Sequence, residues 1–302
     1  RRPNVTLVTG ALVERLETDR SGREVSRVIA RVDGEPAEFQ GDVVVLAAGA
    51  INSAALLLRS ASGRHPHGLA NSSGQVGRNY MAHQNGCFLM VREDENPSAF
   101  QKHFGMTEFY SGSGDSPRPL GTIQLMGKPD RGTVEWLRGG AMPGVAVEEI
   151  MRRTVDFFLT AEDLPDPENR VTLREDGSIR LSYRVNNVEA YERLEATLRG
   201  ILNRLEASRG KRPPEFFSSR LGVSGVSHQN GTLRFGRDPS ASVLDVDCRA
   251  HDVENLYVAD GSFLPSSGAV NPSLTIMANA LRVGDRVLER IGGAVEMEMS
   301  VG

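Results

Sequence analysis

The pattern of apolar and polar residues predicts that the chain opens with α/β structure. Residues 4–16 alternate apolar and polar positions, as a half-buried strand does, and Gly10 marks a turn. The run VVVLAAG at residues 43–49 is apolar without alternation, which is typical of a strand buried on both faces of a sheet. The short helix predicted after it, INSAALLLRS, has Asn52 and Ser53 as possible N-caps.

A hairpin and a closing α/β segment complete this part of the pattern. Two β-rich runs between residues 24 and 42 are separated by the turn signal DGEP, which predicts a β-hairpin. Two further strands are predicted near the far end, LRFG at 233–236 and NLYVADG at 255–261. An amphipathic helix is predicted after Pro272, because apolar residues recur there every three or four positions: Leu274, Met277, Leu281, Gly284 and Leu288.

The middle of the chain has a different pattern. Gly- and Pro-rich segments join short strand-like runs, which predict an antiparallel sheet at 87–93, 122–127, 156–162, 169–173 and 179–185. One long helix is predicted at 186–208, with apolar positions at helical spacing: Leu194, Leu198, Ile201, Leu202 and Leu205. We therefore predict an α/β fold, α+β overall. In it, residues 1–82 and 222–302 form an incomplete Rossmann-like domain, and an antiparallel-sheet domain, residues 83–221, is inserted between them.

Composition limits the kind of partner this chain has. Its 302 residues are 39% hydrophobic and 25% charged, as in an ordinary globular protein. A net charge of −4 argues against nucleic acid or an anionic membrane as a partner, and no apolar run approaches the roughly 20 residues that span a bilayer. Two cysteines without a CxxC pair favour a reducing, cytoplasmic compartment over a disulfide framework or a zinc site. The start, which lacks Met and enters a strand at once, suggests the middle of a longer protein.

His228 is the first candidate for chemistry. It stands in SHQNGTLRFG, at the entrance to a predicted strand. A neutral imidazole can take a proton from an alcohol near neutral pH, so His228 is a candidate general base. A lone histidine is also compatible with a polar loop. Among the other histidines, His65 and His67 flank Pro66 in a Gly/Ser loop, and His83 and His103 stand alone. No carboxylate or further histidine is found at ligand spacing, so no metal site is predicted.

Two further spots carry polar groups at the ends of predicted elements. Asp260 and Gly261 follow a predicted strand, where a carboxylate and a bare backbone often face a ligand, although a plain Asp-Gly turn explains them equally well. Asn271 precedes Pro272, a pairing typical of an N-cap and the first helical position. The partial positive charge of that helix N-terminus would stabilise a nearby anionic group. On local grounds alone, Asn271 is a cap.

Taken together, these spots resemble a known family. The C-terminal signature of the glucose–methanol–choline (GMC) oxidoreductase family is similar to three segments in order: HQNGTLRFG, NLYVADGSFLP and GAVNPSLTIMANALRVGDRVL. Its middle segments look like RPNVTLVTGALV, VVVLAAGAINSAALLLRS and VGRNYMAHQNG, and the start of a substrate-domain strand looks like DLPDPENRVTL. The resemblance implies an FAD enzyme that oxidises an alcohol to a carbonyl, with an FAD-binding domain and an inserted substrate domain.

The resemblance also implies site residues. His228 and Asn271 match the family's catalytic pair. His228 would accept or orient the hydroxyl proton while hydride leaves for flavin N5, and Asn271 would hold the substrate oxygen. The helix that starts at Pro272 would point its N-terminus at the pyrimidine end of the flavin.

Cofactor contacts follow from the same matches. Val8 matches a backbone contact to the adenine, and Ala48 and Gly49 match a close approach to the dinucleotide. Asp260 and Gly261 match contacts to the ribityl–pyrophosphate portion.

One departure concerns the partner. The family begins with a strand–GxGxxG–helix unit, which this sequence does not contain. We therefore expect a second polypeptide that carries the N-terminal half; a piece of a longer chain is the alternative. The expected substrate is a sugar or glycoside hydroxyl, and the electron acceptor is not readable. A flavin-dependent lyase of the same fold and a non-catalytic subunit with a decayed site are the competing hypotheses.

Overall fold

The computed structural model describes residues 3–98, 102–111, 119–138 and 147–292. The strands in these ranges are β1 (Ala11–Thr18), β2 (Val25–Val32), β3 (Glu35–Phe39), β4 (Val44–Leu46), β5 (Gln84–Val91), β6 (Gly105–Met106), β7 (Thr122–Leu125), β8 (Thr154–Ala161), β9 (Arg170–Leu173), β10 (Ile179–Ser182), β11 (Glu215–Arg220) and β12 (Leu256–Val258). The α-helices are α1 (Gly49–Arg59), α2 (Arg131–Arg138), α3 (Val147–Arg153), α4 (Val188–Ser208) and α5 (Ser273–Arg290). This mixture confirms the predicted fold class.

A three-stranded antiparallel sheet, in the order β1-β2-β3, opens the fold. The predicted hairpin is confirmed as β2 and β3, with Ala30 opposite Ala37. The strand predicted from residue 4 begins only at Ala11, so the prediction was wrong for residues 4–10. Residues 5–9 have no regular structure, because the ladder with β2 starts at the Ala11–Val32 pair.

The two ends of the chain meet in a parallel strand pair. Strand β12 pairs with β4, so that Tyr257 lies opposite Val45, and helix α1 follows β4 directly. The prediction that β4 is buried on both faces was wrong for one face, since Val45 is 46% exposed. The strand predicted at 233–236 was also wrong, because Phe235 makes only an isolated bridge to Leu244.

Helix α1 begins earlier than the sequence predicted. Its N-cap is Ala48, so Asn52 and Ser53 lie inside the helix and do not cap it. The Ser53 hydroxyl nevertheless accepts a hydrogen bond from the Ala48 N–H at 3.2 Å. Gly49, where the helix begins, adopts a left-handed backbone, φ +81°, that a residue with a Cβ avoids.

The predicted antiparallel sheet is present as five strands in the order β11-β5-β8-β7-β6. Side chains of β5 alternate between its two faces. Phe88 packs with Leu194 and Leu198 of α4 on one face, and Leu89 packs with Val134 of α2 on the other. Helix α4 is confirmed, except that Leu205, predicted on its apolar face, is 48% exposed.

Strands β9 and β10 are present as predicted but belong to a different sheet. They pair only with each other, and Val171 of β9 lies in the same hydrophobic cluster as Leu57 of α1. This hairpin therefore packs against the segments from the two ends of the chain. The division of the chain at residues 82 and 221 stays a prediction.

Helix α5 is present, but the face that packs differs from the predicted one. Ile276, Val283 and Val287 pack against the core that contains α1, β4 and β12. The predicted apolar face is exposed, with Leu274 at 78% and Leu281 at 74%. The helix thus carries two apolar stripes, and within the described residues only one of them has a neighbour.

Candidate active site

Two histidines from distant parts of the chain meet beside the five-stranded sheet. His83 lies just before β5, and His228 lies in the loop after β11. Their ring centroids are 4.8 Å apart, with the planes at 79°. An isolated bridge joins the two segments, in which Met81 and Asn230 exchange backbone hydrogen bonds of 3.0 Å. The contact is therefore held by backbone pairing as well as by the rings.

His83 is buried and neutral. It is 2% exposed, and its Nδ1 lies 3.2 Å from the Gly268 carbonyl oxygen. Burial, together with the neighbouring His228, lowers the pKa of His83 to about 4. Its Nε2 is buried without a hydrogen-bond partner among the described residues.

His228 is half-buried, and burial lowers its pKa as well. Its Nδ1 is also buried and unpartnered within the described part of the chain. Lowering the pKa keeps the imidazole neutral near pH 7, which is the form that accepts a proton. The electrostatic condition for a general base is therefore met at His228.

Asn271 does not cap α5. The N-cap is Pro272, and no side chain makes a cap hydrogen bond there, so the local interpretation was wrong. The Asn271 side chain instead accepts a hydrogen bond at Oδ1 from Nε2 of Gln124, at 2.8 Å. Because this bond occupies the carbonyl oxygen, the amide NH₂ of Asn271 is left to donate.

Gln124 and Thr122 of β7 hold the loop that carries Asn271. The Thr122 hydroxyl donates to the Ala269 carbonyl at 2.6 Å. On the neighbouring side, the Asp163 N–H donates to the Ser267 hydroxyl at 3.0 Å. The loop between β12 and α5 is thus tied to β7 and to the segment that follows β8 before the helix begins.

Asp163 links this loop to the His83 segment. It is fully buried and accepts hydrogen bonds from the Ala82 N–H at 2.8 Å and the Tyr183 hydroxyl at 3.0 Å. Burial raises the pKa of Asp163 to about 6, against the effect of these donors. The Asp163 carboxyl group therefore anchors Ala82, the residue before His83, and the backbone N–H of Asp163 holds Ser267.

Asp260, predicted to contact a cofactor, uses its side chain for internal hydrogen bonds. It accepts from the backbone N–H groups of Gly49 and Ser262, each at 2.9 Å, and from the hydroxyls of Ser53 and Ser262. The carboxylate therefore clasps the end of β12 to the start of α1. A cofactor contact at Asp260 stays a prediction and would involve its backbone.

The other predicted cofactor residues differ in their surroundings. Ala48 is exposed, and no atom lies within 4 Å of where a Cβ on Gly49 would stand. Gly261 is buried, and a Cβ there would lie 3.0 Å from both the Gln229 carbonyl oxygen and a methyl group of Ile276. Their roles, like that of Val8 in the irregular opening segment, stay predictions.

The N-terminus of α5 is open as well. Residues 273–275 are exposed, and the first N–H groups of any α-helix have no partner inside it. This end carries a partial positive charge. An open glycine turn and a free helix N-terminus are features that suit a nucleotide cofactor, so the residues present fit such a group.

Metal-binding and membrane-spanning features are both absent from the described residues. Among them, no cluster of three His, Cys, Asp or Glu side chains is arranged to hold a metal ion. Likewise, none of the helices in the described ranges has the length and apolar character needed to cross a membrane.

The fold and site define this chain as part of a cofactor-binding α/β protein. It belongs to the GMC oxidoreductase family: the N-terminal model of that family matches residues 1–85, and the C-terminal model matches residues 165–280. The resemblance found in the sequence is therefore confirmed. Proteins of this family are FAD-binding flavoproteins, which confirms FAD as the predicted cofactor.

Curated relatives cover nearly all of the chain. The chain is 32% identical to 6'''-hydroxyparomomycin C oxidase of Streptomyces lividus over 96% of the chain's own length. It is 30% identical to the fructose dehydrogenase large subunit of Gluconobacter japonicus over 93% of the chain. It is also 32% identical to 2-methyl-1,2-propanediol dehydrogenase of Mycolicibacterium austroafricanum over 96%. These matches span 53%, 54% and 55% of the relatives, so the chain corresponds to about half of each.

Solved structures share the fold. Pyridoxine 4-oxidase from Mesorbium loti matches with a TM-score of 0.65 at 22% identity, over 95% of this chain and 59% of that one. A formate oxidase of Aspergillus oryzae, studied for FAD modification, matches with a TM-score of 0.71 at 15% identity. This match covers 95% of the present chain and 61% of the formate oxidase.

Two residues beside the predicted pair were not predicted from the sequence. His83 stands alone in the sequence, and its only signal is its place in the family-like segment VGRNYMAHQNG. Gln124 had no signal at all, because a glutamine on a predicted strand is unremarkable. Both come into contact with the predicted pair only through tertiary structure.

Proposed function

We propose that the complete protein is an FAD-dependent oxidoreductase that oxidises a sugar or glycoside hydroxyl to a carbonyl. The observations that carry this are a neutral imidazole at His228, in ring contact with His83, and an amide at Asn271 whose carbonyl oxygen accepts a hydrogen bond from Gln124. The Gly268 carbonyl, in the same loop as Asn271, lies against the His83 ring and supports placing the two groups at one site. Two relatives support the sugar or glycoside class, since their names refer to hydroxyparomomycin and fructose. A third, named for a propanediol, supports a hydroxyl substrate more generally.

The chain's own residues would act on the hydroxyl. His228 takes the O–H proton, and the NH₂ of Asn271 donates a hydrogen bond to the same oxygen as negative charge develops on it. When bound, FAD supplies the acceptor for the hydride that leaves the carbinol carbon. The oxygen lone pair then forms the C=O bond, which balances the loss of the proton and the hydride.

Residues of the terminal segments would hold the cofactor. The open turn at Ala48 and Gly49 admits a close backbone approach, and the backbones of Val8, Asp260 and Gly261 supply further contacts. The N-terminus of α5 after Pro272 would stabilise an electron-rich ring edge by its partial positive charge.

We further propose that additional protein covers the exposed apolar stripe of α5. That stripe carries Leu274, Met277 and Leu281, and large exposed apolar surfaces mark contact sites. The part of each relative that this chain does not match is large enough to fill that place. We assign it to a chain that carries the GxGxxG half. Cys87 and Cys248, both buried free thiols, support a reducing, cytoplasmic compartment.

The test is His228→Ala in the complete holoenzyme. We expect the flavin spectrum to be retained, and the rate of alcohol-dependent flavin bleaching to fall by about 10²–10⁴-fold, as for loss of a general base. His67→Ala, at an exposed histidine away from the site, is the matched control. Bleaching at the wild-type rate would exclude His228 as the base, and cleavage products without flavin reduction would favour a lyase.

A further inference from the structure

The two contacting imidazoles each contain a buried nitrogen without a partner among the described residues. These are Nε2 of His83 and Nδ1 of His228, and the ring centroids are 4.8 Å apart. A buried polar nitrogen that makes no hydrogen bond is rare and destabilises the folded state. Two of them in one edge-to-face ring pair therefore point to a common partner that lies between the rings.

The surroundings of His83 decide which of its nitrogens carries the proton. Its Nδ1 lies 3.2 Å from the Gly268 carbonyl oxygen, and a carbonyl can only accept. Nδ1 must therefore carry the hydrogen. Because the buried ring is neutral at pH 7, Nε2 of His83 is left with a lone pair and acts as an acceptor.

We propose that His83 is a positioning residue for His228: one water bridges the two rings, accepting the Nδ1–H of His228 and donating to Nε2 of His83. This inference rests on the proposed function. It fixes His228 in the tautomer whose Nε2 carries the lone pair, which is the nitrogen left to take the substrate proton. After proton transfer, the Nδ1–H of the charged imidazole still has its acceptor, which stabilises the product of that step.

The His83 ring, whose Nε2 is the acceptor, is held rigidly by its surroundings, as this role requires. Gly268 has a left-handed backbone, φ +63°, and a Cβ there would lie 3.2 Å from the Tyr110 hydroxyl. The neighbouring Ser267 is tied to Asp163, which also binds the Ala82 N–H beside His83. The His83 ring therefore has little freedom to turn away from Gly268.

Two substitutions separate this role from simple packing. His83→Gln keeps an acceptor oxygen near the position of Nε2, whereas His83→Met fills a similar volume without one. In the complete holoenzyme we expect His83→Met to lower kcat by about 10–100-fold, the usual effect of losing the group that orients a functional histidine, with KM little changed. His83→Gln should recover most of kcat. Equal kcat values for wild type, Met and Gln would overturn the proposal.

A spectroscopic readout is independent of turnover. In holoenzyme labelled with ¹⁵N at the histidine rings, the His228 signals are assigned by their loss in His228→Gln. We expect wild-type His228 to carry its proton on Nδ1, and His83→Met to give a mixture of tautomers. A wild-type His228 protonated on Nε2 would overturn the proposal, even if neither His83 variant folds. If His228→Ala retains full bleaching, the proposed function fails instead, and the tautomer measurement stands apart from it.

Discussion

Gln124 donates a hydrogen bond from Nε2 to Oδ1 of Asn271 over 2.8 Å and thereby joins the five-stranded sheet to the loop before α5. The contact sets the direction of the Asn271 amide, since an oxygen that accepts this bond leaves the NH₂ group free. Under the proposed function, that NH₂ donates to the substrate oxygen.

Removing this contact should slow turnover. In Gln124→Ala the Asn271 amide is free to flip, and we expect kcat to fall about tenfold, which corresponds to one hydrogen bond of about 1.4 kcal/mol. Gln124→Glu should be worse, because a carboxylate only accepts and would turn the Asn271 carbonyl toward the substrate oxygen. Steady-state kinetics of the holoenzyme measure both, with Gln40→Ala on the exposed surface as control. A Gln124→Glu variant as active as wild type would contradict this account.

Asp260→Asn should destabilise the protein. The carboxylate accepts from two backbone N–H groups and two hydroxyls, and an amide nitrogen would set a donor against some of them. We expect a loss of about 1–3 kcal/mol in the free energy of unfolding, measured by urea denaturation. Asp252→Asn, which changes a carboxylate that binds Ser72 at the surface, should cost less. Equal losses of unfolding free energy in the two variants would show that the buried hydrogen bonds of Asp260 stabilise the fold no more than those of Asp252 at the surface.

Asp156 should make stability depend on pH. It is buried in β8, and burial raises its pKa to about 7, with only partial compensation from Thr154 and Lys128. Because the folded-state pKa lies above the ordinary value of 3.8, the folded state binds more protons between those two values. The contribution of Asp156 to stability is therefore greatest below pH 4 and falls as pH rises toward 7.

Asp156→Asn should remove this contribution. We expect the variant to be more stable than wild type at pH 8, on the order of 2–4 kcal/mol, and similar to it at pH 4. Urea unfolding at the two pH values measures the difference, and comparison with wild type cancels the parallel effect of Asp163. A difference that does not change with pH would show that the Asp156 carboxyl ionises normally.

The exposed apolar stripe of α5 should contribute to stability only in the complete protein, where additional protein is proposed to cover it. Leu281→Glu is expected to lower the thermal stability and flavin content of the holoenzyme, because it places a charge in the contact proposed there. Leu205→Glu changes a leucine that is 48% exposed on α4 and should have little effect. If the two variants behave alike in the complete protein, Leu281 is not covered.

Local patterns determined most of the secondary structure. Alternation with period two and the DGEP turn predicted the β2–β3 hairpin, and helical spacing predicted α4 and α5, because these signals depend on residues close together in the chain. The family resemblance also came from the sequence alone, since its motifs are short and ordered. Those motifs were sufficient to identify His228 and Asn271 as candidates.

Only the tertiary structure decided what surrounds those residues. His83 and Gln124 reach the site from positions distant in sequence, and no local pattern records such pairings. The apolar spacing of α5 could not say which stripe packs, because periodicity describes the helix and not its neighbour. The role of Asn271 changed for the same reason: its local context predicts a cap, whereas a side chain from β7 holds its amide. Short-range propensities determine the elements, and long-range contacts, which depend on how those elements assemble, determine the site.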